Sequence, residues 1–208
     1  MSFRIEDKLY IKNENLIDFK IFLNTHSCKT LHKPRVIESL YFDNQNLQTY
    51  NDSIEGMVPR KKIRIRNYPS SDDQKCYYEI KNSSVEGRYK TRKIIDKKAF
   101  EEIKNVGIFD EQYGLCFPKI YVKYLREYFI MKNTRITYDK DIEYLNVQQR
   151  ILGKENSKVL ELKPNKDKNT DELFLDFPFS RIRYSKYCFG INKFQYRNGK
   201  KWPTIKKI

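Results

Sequence analysis

Charged residues recur at every second position in four segments of this chain: Arg4-Ile-Glu6-Asp-Lys8, Lys62-Ile-Arg64-Ile-Arg66, Glu79-Ile-Lys81 and Glu161-Leu-Lys163. The positions between them are mostly apolar. Side chains at i, i+2 and i+4 of a β-strand share one face. Each segment therefore reads as a strand with one mostly apolar face and one face of Arg, Lys and Glu. A solvated surface strand has the same pattern. Four of them, with both charge signs in one register, point instead to a shared polar interior. A closed β-barrel with a charged lumen would contain it.

The same periodicities set out the remaining elements. Residues 3–12 predict the first strand. Residues 14–24 predict a helix with an uneven apolar stripe of Leu16, Phe19, Ile21, Phe22 and Leu23. Residues 35–42 predict a second strand, and the polar turn Asp43–Asn46 caps a short helix over 47–54. Three antiparallel strands follow at 61–68, 75–82 and 88–95, joined through turn-rich stretches. A helix is predicted over 97–106. Beyond Pro118 the chain is β again, with strands at 119–132 and 135–138, a loop or short strand over 139–144, and a strand at 159–163. Residues 173–176 predict a short strand or the start of a helix, and 185–194 a closing helix. No repeat or linker divides the chain, so one domain is expected over 1–208, with a core at 3–195 and a basic tail at 196–208. Strands and helices do not alternate as βαβ units, so the class is α+β with a mainly antiparallel sheet.

Composition changes this picture in two ways. The 208 residues carry 42 Lys+Arg against 27 Asp+Glu, a net charge of +15, which favours anionic partners. Hydrophobic residues make up only 39%, but aromatics reach 14%, with 16 Tyr that pack in strands while keeping a polar tip. The four cysteines (28, 76, 116, 188) form no CxxC pair and His26 and His32 lie apart from them, which argues against zinc and against a disulfide framework. No apolar run has the length of a signal or membrane segment, so a cytoplasmic protein is expected. A membrane-protein partner stays open. There is no GxxxxGK[ST], GxGxxG or HExxH motif, and neither histidine can be placed in a hydrolytic triad.

The candidate chemistry lies in the charged rows. Arginine forks bind phosphate oxygens bidentately, so Lys62, Arg64 and Arg66 would face successive phosphoryl groups. A solvated edge strand guarded by charges explains that row equally well. Cross-strand ion pairs explain Glu79/Lys81 and Glu161/Lys163 singly. They do not explain why Glu6/Lys8 repeats the same order and spacing. Lys90 and Arg92 alternate again, Arg126 and Arg135 flank a hairpin, and Arg181, Arg183 and Lys186 gather before the last helix. Ser185 is placed to cap that helix, whose N-terminus would accept an anion.

The stretches IESLYFD, RKKIRIRNY, YYEIK, YLREYF, RITYD, VLELK and SKYCFGI occur in this order. In that order they resemble the VTC (vacuolar transporter chaperone) domain, the polyphosphate-polymerase branch of the triphosphate tunnel metalloenzyme superfamily. The resemblance runs from about Phe3 to Ile191 and is closer to stand-alone bacterial VTC proteins than to multidomain ones. It implies a closed, eight-stranded antiparallel β-barrel forming a tunnel, with flanking helices. By the same resemblance Lys8, Arg64, Arg66, Lys81, Lys90, Arg126, Arg135, Arg183, Ser185 and Lys186 would hold phosphate, and Glu161 would hold Mn²⁺ or Mg²⁺. Glu6 is a second metal candidate, in an opening motif only partly kept. Among these, Arg64, Arg66, Lys81, Arg126 and Arg135 would surround the reacting phosphoryl group.

The implied activity is polymerisation of inorganic polyphosphate from the γ-phosphate of ATP, releasing ADP. The partners would be ATP or another nucleoside triphosphate, polyphosphate, pyrophosphate or phosphate. Hydrolysis of a triphosphate on the same fold is one alternative, and non-catalytic binding of polyphosphate or another anionic polymer is a second. Nucleic acid ranks below these, because the Arg rows alternate with apolar residues that suit a barrel wall.

Overall fold

The structure, a computed structural model, describes residues 7–70, 75–132, 134–163, 179 and 181–197. In chain order the strands are β1 (Asp7–Ile11), β2 (Lys29–Asp43), β3 (Arg60–Asn67), β4 (Cys76–Ser84), β5 (Gly87–Ile95), β6 (Ile108–Asp110), β7 (Gly114–Met131), β8 (Thr134–Leu145), β9 (Ile151–Glu155) and β10 (Lys158–Lys163). The helices are α1 (Leu16–Thr25), α2 (Gln48–Glu55), α3 (Lys97–Val106) and α4 (Lys186–Arg197), with a 3-10 turn at Asn13–Asn15. All ladders are antiparallel. The main path runs β1-β10-β8-β7-β2-β3-β4-β5, with β6 beside β7 and β9 beside β8.

The eight strands of that path match the number expected, but the ring is not closed. Among the described residues no ladder joins β1 to β5. β1 has five residues among those described, and β5 is exposed from Arg88 to Ile94. Arg88, Lys90, Arg92 and Lys93 give β5 the charged character of a protected sheet edge. The sheet is nevertheless strongly curled. Lys8 on β1 feels the charges of Lys81 on β4 and Lys62 on β3, although these strands lie far apart in the sheet order.

Alternation places the two faces as the periodicity predicts. Leu9, Ile11, Ile136, Tyr138, Leu160 and Leu162 turn outward and are buried with Phe19 and Phe22 of α1. Leu40, Phe42, Ile63, Ile65, Cys76 and Tyr121 also turn outward, against Phe100 and Ile103 of α3. Asp96 caps α3, accepting from the Ala99 amide at 2.7 Å. The inward face is apolar at one end, where Ile37, Ile120, Val122, Ile142 and Tyr144 pack on Tyr187, Cys188 and Ile191 of α4. Gly190 permits that approach, since a Cβ there would lie 2.8 Å from Ile120 and 2.9 Å from Tyr144. The buried Asp43 carboxylate ties the two plugging helices together. It accepts the Thr49 and Tyr50 amides of α2 and the Tyr187 hydroxyl of α4.

Several boundaries differ from the sequence reading. β2 starts at Lys29 instead of residue 35, because its first half is exposed and carries no apolar alternation. Pairing with β7 holds it, with register shifts around His32 and Arg35 that accommodate Pro34. β8 is one strand over 134–145, bent at Asp141 with φ +52°, where two short pieces were expected. The short strands β6 and β9 had no sequence signal. The element expected at 173–176 lies outside the described residues.

Candidate functional site

Most of the charged rows meet in the curled sheet's interior. On the first wall, β3 and β4 set Arg64 opposite Glu79. Arg64 donates Nε and Nη2 to Glu79 Oε2 at 2.9 and 2.7 Å, and Nη1 to the Tyr41 hydroxyl at 3.0 Å. Arg66 donates to Ser39 Oγ and the Tyr124 hydroxyl at 3.3 and 3.2 Å, with Glu79 3.9 Å away. Lys90 of β5 reaches Glu79 Oε1 at 2.9 Å, and Arg92 stands 3.5 Å from the same oxygen while stacking on Tyr77. Glu79 is 1% exposed. Burial opposes its ionisation, but Arg64, Arg66 and Lys90 outweigh it and hold its pKa far below the usual carboxylate range.

The opposite wall comes from β7, β8, β10 and α4. Arg126 makes a bidentate pair with Asp139, at 2.5 and 2.7 Å. Lys186, the first residue of α4, reaches Asp139 Oδ2 at 2.6 Å. Both cations also lie over the Tyr124 ring, at 5.3 and 4.7 Å. Asp139 is fully buried, and these two partners overcome burial to lower its pKa. Ser185 caps α4, its Oγ accepting the Cys188 amide at 3.3 Å.

Glu161 is held more loosely. Oε2 lies 3.2 Å from Lys163, 3.6 Å from Arg126 and 3.5 Å from the Thr137 hydroxyl. Oε1 accepts no hydrogen bond among the described residues. Burial is again outweighed, here by Lys163, Lys81, Arg126 and Lys8, so the carboxyl stays ionised. Lys8 sits opposite Glu161 in the β1–β10 ladder and donates to the Tyr184 carbonyl at 2.8 Å. Burial pushes its pKa down to about 7 against the pull of Glu161. Lys81, Lys186 and Lys62 add to the depression. One small volume thus collects cations from β1, β3, β4 and α4.

Two expected residues sit apart. Arg183 is exposed and donates Nη2 to the Ser53 carbonyl of α2 at 2.7 Å, at the edge of the interior. Arg135 shares the inward row of Thr137 and Asp139, opposite Lys163, and makes no ion pair among the described residues. Lys62 lies inward beside Lys81. Glu6 lies outside the described residues. Asp139, Tyr41, Tyr124 and Thr137 had no assignment from the sequence. Period-two counting from Arg135 would have found Thr137 and Asp139, had 135–145 been read as one strand.

Among the described residues, no three His, Cys, Asp or Glu side chains cluster to hold a metal ion. Mg²⁺ and Mn²⁺ in phosphate chemistry use one or two carboxylates and take their remaining ligands from phosphate oxygens and water. Glu161, ionised and with an uncommitted oxygen, fits that partial role. Glu79 and Asp139, saturated by cations, do not.

Solved structures share this fold at low identity. A proposed adenylate cyclase from Bacillus halodurans aligns with TM-score 0.62 at 13% identity, over 87% of this chain and 92% of that one. A proposed adenylyl cyclase from Hippeastrum with a dominant triphosphatase activity aligns with TM-score 0.56 at 15% identity, over 96% and 98%. A Vibrio parahaemolyticus protein, also a proposed adenylate cyclase, gives TM-score 0.55 at 14% identity, over 88% and 96%. No curated protein matches. No helix among the described residues is long and apolar enough to cross a membrane. The VTC domain family matches residues 3–195, over the strands that build both charged walls and the helix that closes them, and the chain belongs to that family, with the triphosphate tunnel metalloenzyme fold.

Proposed function

We propose that this protein is a metal-dependent phosphotransferase that builds inorganic polyphosphate from the γ-phosphate of ATP within its charged interior. The observation that carries this reading is the convergence of Lys8, Arg64, Arg66, Lys81, Arg126 and Lys186 on one volume that also holds Glu161. Phosphoryl transfer asks mainly for positioning and charge neutralisation, with little covalent help from the protein. Arg64 and Arg126, fixed by Glu79 and Asp139, offer guanidinium forks that need no rearrangement to meet equatorial phosphate oxygens. Lys186 and the Ser185-capped N-terminus of α4 add positive potential from the plugged end. The γ-phosphorus–oxygen bond of ATP breaks, its electron pair leaving with ADP. A terminal oxygen of the acceptor phosphate forms the new bond. Glu161 would hold Mg²⁺ or Mn²⁺ together with the phosphates. Once bound, the ion would supply positive charge that offsets the charge developing on the leaving group. Arg135, Lys62 and Lys90 would extend the cationic lining along the chain of phosphates.

Hydrolysis is the second reading, favoured by the triphosphatase activity of the Hippeastrum structural neighbour. Water then takes the place of the acceptor phosphate. Incubating the purified protein with ATP and Mn²⁺ separates the two. Long-chain polyphosphate accompanied by ADP supports polymerisation. Free phosphate without polymer overturns it in favour of hydrolysis, and neither product removes both.

A further inference from the structure

Twelve large apolar residues are exposed among the described residues, and five of them lie on or beside the hairpin of β6 and β7. Phe109, 74% exposed, stands across the ladder from Leu115, so the two side chains share one face. A Cβ on Gly107 would lie 3.3 Å from Leu115 Cδ1, which sets Val106, the last residue of α3, next to the pair. Gln112 in the hairpin turn donates Nε2 to the Pro59 carbonyl at 3.0 Å, bringing the exposed Met57 and Val58 to the same hairpin. Exposed apolar residues scattered singly are ordinary, but a group of this kind marks a surface that another segment covers. Its border is acidic. Glu55, Glu102 and Glu111 are exposed there, whereas Lys61 and Lys104 are paired with Asp110 and Glu101 at 2.9 and 3.5 Å. An apolar surface with an acidic border calls for an occupant that is both cationic and apolar.

The chain carries such a segment. Residues 198–208, outside the described residues, hold four lysines and no acid, with Trp202, Ile205 and Ile208 at every third position. The helix that precedes them runs toward the hairpin. Lys186 lies over Tyr124 and Gly190 lies against Ile120, so α4 proceeds along β7 toward the start of that strand at Gly114. Arg197 ends α4 seven residues after Gly190, about 10 Å of helix. The eleven residues beyond it reach up to about 36 Å when extended. We propose that residues 198–208 dock on the Phe109–Leu115 surface of the same chain, with Trp202 as the apolar anchor and the lysines facing Glu102 and Glu111. A single buried tryptophan supplies most of the affinity of a short segment, and border charges mainly orient it. Docking fastens the far end of α4, whose first residue lines the interior, and does not depend on the chemistry carried out there.

Trp202 is the only tryptophan of the chain, so its fluorescence reports the docking in the whole protein. A free peptide of residues 198–208 is the reference. Wild-type emission is expected to lie to the blue of the peptide's, and acrylamide should quench it several-fold less. Phe109→Asp removes the centre of the surface, and both readings should return to those of the peptide while circular dichroism stays that of the wild type. Leu115→Ser should give a partial return. Glu102→Lys combined with Glu111→Lys should give a smaller one, which added salt reproduces in wild type. Wild-type Trp202 quenched as readily as the peptide overturns the docking. So does a blue-shifted emission that Phe109→Asp leaves unchanged in folded protein, because the segment then lies elsewhere. A blue shift lost on dilution together with a dimer in analytical ultracentrifugation assigns the surface to the tail of a second copy and overturns docking within one chain. Should Phe109→Asp not fold, Leu115→Ser decides by the same criteria.

Discussion

Glu79 on β4 and Glu161 on β10 occupy the same position in the same three-residue motif, Glu-apolar-Lys, and both are buried with their side chains turned inward. Their surroundings differ. Glu79 uses both oxygens in contacts of 2.7–2.9 Å with Arg64 and Lys90. Glu161 has its nearest cation at 3.2 Å and one oxygen without a hydrogen-bond partner among the described residues. The difference comes from what stands opposite in the ladders: Arg64 and Arg92 for Glu79, Lys8 and Thr137 for Glu161. The single ammonium of Lys8 and the short Thr137 leave a carboxylate oxygen open where two-pronged guanidinium groups would occupy it. One carboxylate thus organises cations, and its twin is left able to take a metal with substrate.

The contrast is tested most strongly by deleting the organiser. Glu79→Ala leaves Arg64 and Arg66 without their buried counter-ion and should cost about 3–5 kcal/mol, read by denaturant unfolding. A loss within 1 kcal/mol would mean that Glu79 is not the centre of its wall. Glu161→Gln should behave in the opposite way. Its stability should fall less than that of Glu79→Ala, because its cation contacts are longer, while metal-dependent turnover falls about 10²–10³-fold. Full activity in that variant would dissolve the distinction between the twins.

Acidification sharpens the same point. Glu79 has a folded pKa depressed below its ordinary value of 4.5, so the unfolded chain takes up protons first. The stability that Glu79 contributes is fully present above pH 4.5 and is lost as pH falls below it. Denaturation midpoints measured from pH 6 downward should therefore drop steeply in wild type and less steeply in Glu79→Gln. Parallel slopes would refute the linkage.

The smallest expected effect lies at the end of α2. Gly56 has φ +84°, and a Cβ there would approach Arg183 Nη2 to 2.9 Å. Gly56→Ala should cost about 1 kcal/mol from the left-handed backbone alone. It should also displace Arg183 from the Ser53 carbonyl while leaving the Glu79 wall intact.

Much of this site was legible beforehand because alternation is a local property. The rows at 62–66, 79–81 and 161–163 needed only period two to place Arg64, Arg66, Lys81 and Glu161 on one face. Asp139 was missed because the bulge at Asp141 breaks the alternation of β8, so the segment read as two pieces. Arg183 was grouped with Ser185 and Lys186 by their closeness in sequence. Only the structure shows its side chain reaching the end of α2, a contact 130 residues distant in sequence.

By itself the sequence determined which side chains face inward, that the sheet is antiparallel, and that its interior is cationic, since each follows from residue order and the pleat of a strand. Only the tertiary structure decided which carboxylate meets which cation, that no ladder joins β1 to β5 among the described residues, and that Glu79 and Glu161 part ways. Those outcomes depend on register between distant strands, and register is set by the packing of the outward faces on α1 and α3 and of the plugged end on α4.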